Sequence, residues 1–60
     1  MSIGKNLKYV CKLKGITLKD LSNETGLAYS TITNIVSRDP ESISYTTMDK
    51  LCKALGVDSI

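Results

Sequence analysis

Three times in sixty residues an amphipathic stretch ends in glycine followed by an aliphatic residue, at Gly15-Ile16, Gly26-Leu27 and Gly56-Val57. Each pair reads as a helix C-cap of the Schellman kind. Glycine enters the left-handed region at no steric cost, and the next apolar side chain folds back on the last turn. Stops spaced this closely leave room only for short helices. Working back from them, the first helix spans Ile3 to Lys14 behind Ser2 as N-cap, with Ile3, Leu7, Val10 and Cys11 on one stripe. A second begins after Thr17, whose hydroxyl forms a capping box with the Asp20 carboxylate, and it turns Leu18, Leu21 and Ser22 inward.

The third helix spans Ala28 to Val36, with Ile32, Ile35 and Val36 inside and Tyr29, Ser30, Thr33 and Asn34 outside. Its β-branched residues would suit a strand, but strict alternation fails at Ile35-Val36 while the three-and-four spacing holds. Between Ser37 and Ser44 lies a loop punctuated by Asp39-Pro40. Ser44 then caps a fourth helix, Tyr45 to Leu55, with Met48, Leu51, Cys52 and Leu55 as its stripe. The expected fold class is all-α: a compact four-helix, at most five-helix, bundle of non-parallel helices forming one domain over residues 1–60.

Composition narrows the function. A chain of 60 residues buries only about 60% of its unfolded surface, which leaves little core for a catalytic cavity. There is no His, no nucleophile with a neighbouring base, no Gly-rich phosphate loop and no cluster of metal ligands, so neither an enzyme nor a metal or cofactor site is expected. No apolar run is long enough for a membrane helix, and the N-terminal residues lack the pattern of a signal peptide, so a cytoplasmic location is expected. Cys11 and Cys52 fall on apolar stripes and read as reduced core residues. The net charge of +2 permits nucleic-acid binding without demanding it.

Only Gly26, Leu27 and Ala28 join the second and third helices, which forces a sharp corner and pushes one face of the third helix outward. At this corner the chain resembles the phage Cro and repressor type of helix-turn-helix, the xenobiotic-response-element family with a lambda-repressor-like fold. The resemblance runs from Ile3-Gly4-Lys5 through Ile16-Thr17-Leu18-Lys19-Asp20-Leu21, Thr25-Gly26-Leu27 and Ser30-Thr31-Ile32-Thr33-Asn34-Ile35 to Leu51-Cys52-Lys53-Ala54-Leu55-Gly56-Val57. Three positions depart from it. Leu18 stands where the family has Gln, Ala28 replaces a capping Ser or Thr, and Ser22 replaces Ala, so its hydroxyl requires a partner if buried.

The resemblance implies sequence-specific binding of double-stranded DNA in the major groove by a transcriptional regulator of the repressor kind, from a prokaryote or phage. It further implies a homodimer on a pseudo-palindromic site. By position, Ala28, Tyr29, Ser30, Thr33 and Asn34 face base edges, while Thr17, Lys19, Ser37 and Arg38 hold phosphates. From Leu27 to Arg38 there is no acidic residue, whereas Asp39 and Glu41 follow at once and must turn away or pair locally. Lys5, Lys8, Lys12, Lys14, Lys50 and Lys53 read as solubilising, and Tyr45 as packing its ring under the loop. The alternative is a protein-interaction module on the same fold, an antitoxin or anti-repressor partner that reads no bases. No membrane or small-molecule partner is implied.

Overall fold

The computed structural model describes residues 2–60. It contains four helices, α1 (Ile3–Lys14), α2 (Leu18–Thr25), α3 (Tyr29–Arg38) and α4 (Tyr45–Leu55), and no strand among the described residues. Leu7, Leu21, Ile32 and Leu51, one from each helix, are wholly shielded from solvent and meet at the centre with Cys11, Ile35 and Leu55. Complete burial of a side chain of this size stabilises the fold by about 1.5–3 kcal/mol. Ile16, Leu27 and Val57, the residues after the three glycines, pack on the rim of this cluster as the cap pattern requires. Both thiols are free and buried, and burial pushes the Cys11 thiol up, away from the reactive thiolate.

Two of the three glycine caps have the expected double bond. The Gly15 and Ile16 amides donate to the Lys12 and Cys11 carbonyls, and the Gly56 and Val57 amides to those of Lys53 and Cys52. Gly26 differs from the expected Schellman form. Its amide donates to Ser22, but the Leu27 amide turns instead to Thr25 Oγ1 at 3.2 Å. A chain that must enter α3 within three residues cannot fold back over α2, so a side chain supplies the second acceptor.

Sequence reading placed the third helix at Ala28–Val36; it spans Tyr29–Arg38, with Ala28 as its N-cap. Its extension past Val36 has a non-local cause. Asp39, the single non-glycine residue with positive φ (49°) among the described residues, ends α3 in the left-handed region. Its Oδ1 accepts from the Gly4 amide at 2.9 Å, across 35 residues of sequence. This carboxylate therefore ends α3 and satisfies an orphan amide in the first turn of α1, beside the Ser2 hydroxyl that accepts from Lys5.

The Gly4 amide, the Ser2 hydroxyl and the charge of Lys5 hold the Asp39 carboxyl below its ordinary value of 3.8, against a smaller upward push from burial. A folded-state pKa below the unfolded one stabilises the fold above the unfolded value, and that contribution is lost as pH falls through the folded value. Asp39→Asn retains an acceptor and tolerates the left-handed conformation. It is expected to flatten the decline of melting temperature below about pH 4. Thermal melts from neutral to strongly acidic pH test this; parallel declines in the two proteins would refute it.

Tyr45 departs from expectation. At 86% exposure its ring lies in solvent rather than under the loop, at the first residue of α4 and one turn ahead of Met48.

Candidate nucleic-acid interface

The corner between α2 and α3 is held by side chains on its inner side. Ser22 Oγ donates to the Leu27 carbonyl at 2.6 Å, which supplies the partner its half-buried hydroxyl requires. Thr25 Oγ1 donates to the Leu21 carbonyl at 2.7 Å while accepting from the Leu27 amide. Leu27 is thus fixed through both its backbone groups, and Gly26 at φ 76° makes the reversal that precedes it.

Residues 29–38 leave this corner as a helix whose inner side, Ile32 and Ile35, is buried. On the opposite side Ser30, Asn34 and Ser37, spaced four and three apart, form one solvent-exposed ridge. Thr33 flanks it, half-buried, with its hydroxyl donating to the Ser30 carbonyl at 3.1 Å and lone pairs left over for an incoming donor. Arg38 lies exposed on the other flank at the C-terminal end. Ala28 is exposed ahead of the first turn, and Tyr29, 53% exposed, leans toward α2.

Tyr29 lines an open groove with Lys19, Ser22 and Asn23, so one expected backbone-contacting residue and one expected base-contacting residue meet there. Asn23 was not singled out from sequence. Only the neighbouring helix brings it to the groove, although its outward position on α2 is readable from the stripe of Leu18, Leu21 and Ser22. Thr17 sits at the entrance to α2 within its capping box: Oγ1 accepts from the Asp20 amide at 3.0 Å, and Asp20 accepts from the Thr17 amide at 3.2 Å. The Thr17 hydroxyl proton is left free to donate outward.

The ridge carries no carboxylate, and the first one after it is occupied. Asp39 accepts from the Gly4 amide at the far end of α3 and keeps its negative charge, while Glu41 is exposed in the loop. Hydroxyl and amide groups on an acid-free convex ridge can make paired hydrogen bonds to base edges. The front of the helix is less well built. Ala28 provides no side-chain cap to α3, as the departure at this position predicts. Ala28→Ser is expected to raise stability by about 1 kcal/mol. Denaturant unfolding reads this directly, and an unchanged or lower midpoint would refute it.

The model of one family, described as a Cro/C1-type HTH DNA-binding domain, matches residues 6–59. None of the curated proteins matches the chain. The match covers the corner, the ridge and all four helices, save the first residues of α1. The chain belongs to the Cro/C1-type helix-turn-helix DNA-binding domains.

Proposed function

We propose that this protein is a transcriptional repressor that inserts α3 into the major groove and binds as a homodimer to a pseudo-palindromic site. It acts in the compartment that holds the DNA, the cytoplasm of a prokaryotic cell. The observation that carries the reading is the acid-free, solvent-facing ridge of Ser30, Asn34 and Ser37, presented by a hydrogen-bonded corner in a DNA-binding family. In this reading Asn34 makes the paired contact to adenine. Ser30 and Thr33 exchange hydrogen bonds with neighbouring base edges. The Ala28 methyl meets a thymine methyl, and Tyr29 reaches the edge of the site nearest α2. Thr17, Lys19, Ser37 and Arg38 fix the register on phosphates without reading sequence.

Selection of preferred sites from a random duplex pool tests the proposal as a whole. A symmetric consensus with half-sites about one helical turn apart is the expected outcome. The absence of any enriched sequence would overturn base reading, and a single unrepeated half-site would overturn the dimer. Arg38→Ala is expected to weaken binding to every duplex alike and to reduce the slope of log affinity against log salt by about one unit. A slope unchanged in the folded variant would remove Arg38 from the phosphate contacts.

A further inference from the structure

Four of the eight cations of this protein sit on one helix away from the ridge. Lys5, Lys8, Lys12 and Lys14 all lie on α1, which contains no acidic residue. Eight cations and six acids give +2 for the chain, so removing these four lysines leaves four cations against six acids, or −2. Among the described residues the sole ion pair is Lys53 with Asp49 on α4, so Lys8, Lys12 and Lys14 have no carboxylate partner. The same outer side of α1 carries Tyr9 and Leu13, one turn apart and 63% and 66% exposed. They are two of only four large apolar side chains left in solvent among the described residues, and Leu13 is the one aliphatic among them.

We propose that the outer side of α1 docks an acidic amphipathic helix from another protein. Its apolar residues, one turn apart, would cover Tyr9 and Leu13, and its flanking carboxylates would pair with Lys5, Lys8 and Lys12. Charge complementarity selects this occupant. A second copy of α1 in a two-fold arrangement would set lysines against lysines. Among the described residues the other helices offer no matching surface: Asp20 is held in its capping box, Asp49 is paired with Lys53, and Glu24, exposed on α2, has no exposed large apolar side chain beside it on that helix. A phosphate backbone would engage the lysines but give Leu13 nothing apolar to pack on. Two apolar side chains form too short a stripe for a helix lying in a membrane surface. The proposal is independent of base reading. Because α1 and α3 turn their buried sides toward each other, the outer side of α1 stays uncovered when the ridge of α3 is engaged.

The test is an NMR titration of the ¹⁵N-labelled full chain with a synthetic helical peptide bearing leucines at i, i+3 or i+4 and i+7 and glutamates elsewhere. Saturable amide shifts confined to residues 5–13 are expected. Binding is expected to weaken at least about tenfold, or ~1.4 kcal/mol, in the Tyr9→Ser/Leu13→Ser variant and in Lys8→Glu. All these side chains are exposed, so the variants should melt with the parent, and Tyr9→Ser/Leu13→Ser, which leaves the charge unchanged, should keep its affinity for random duplex. Absence of shifts on α1 would overturn the proposal, as would equal binding of a sequence-scrambled peptide. The same shifts, with the same dependence on Tyr9 and Leu13, produced by anionic phospholipid vesicles or by random duplex would assign the surface to those partners instead.

Discussion

Gly4→Ala is expected to destabilise the protein by about 3 kcal/mol, the upper part of the range for forcing extra volume into a packed site. Two effects of opposite sign compete at this position. Alanine is the better helix former, by roughly 1 kcal/mol in an exposed helix, so propensity alone predicts a gain. Packing reverses it. A Cβ at Gly4 would lie 2.6 Å from the Ile35 carbonyl oxygen, 2.8 Å from that of Val36 and 3.2 Å from Val36 Cα. These are backbone atoms of α3 and have no rotamer into which to retreat. α1 must back away, which also stretches the 2.9 Å bond from the Gly4 amide to Asp39. For a chain of this length total stability is about 3–9 kcal/mol, and a loss of about 3 kcal/mol should lower the melting temperature by roughly 12–24 °C. Thermal unfolding followed by circular dichroism gives the sign at once, and a variant as stable as its parent would mean that the helices are not in contact there.

Asn34→Ala is expected to leave stability unchanged and to abolish preference at one base pair, a loss of about 1–3 kcal/mol in discrimination. The side chain is exposed at the middle of the ridge and makes no hydrogen bond within the described part of the protein, so its removal costs the fold nothing evident. Asparagine is neutral, so the salt dependence of binding should be preserved, unlike in Arg38→Ala. Repeating the site selection with the variant is the decisive measurement. An identical consensus from parent and variant would remove Asn34 from the base-reading set, even if overall affinity had dropped.

Much of the fold can be read from local chemistry. Gly15, Gly26 and Gly56 mark helix ends because a positive φ there leaves few alternatives, and Ser2, Thr17 and Ser44 mark helix starts because their hydroxyls accept from amides three residues on. What sequence reading missed depends on residues far apart in the chain. Asp39 takes the same left-handed conformation as the glycines, but it is held by a bond to Gly4, and nothing in Ser37–Ser44 alone announces that partner. The end of α3 was therefore placed two residues early.

Gly4 itself sits inside an unbroken helical pattern, where its missing side chain carries no local signal; its reason is the backbone of α3 lying against it. Tyr45 shows the converse error, since an aromatic beside a loop suggests a cover, yet its place in the first turn of α4 turns it to solvent. At the interface, Ser30 and Asn34 were legible as an outward face, and the need for a partner at Ser22 was legible too. That the partner is the Leu27 carbonyl requires the folded corner.

That corner separates two jobs along the chain. Ser22, Thr25 and Gly26 act as a locked elbow, and none of them belongs to the outward row of Ser30, Asn34 and Ser37. The pose of the ridge is settled when the polypeptide folds, so under the proposed function an encounter with a target need not first straighten or order the joint. The lettering on the ridge can accordingly be rewritten, by mutation or by grafting, while the hinge that aims it is left alone.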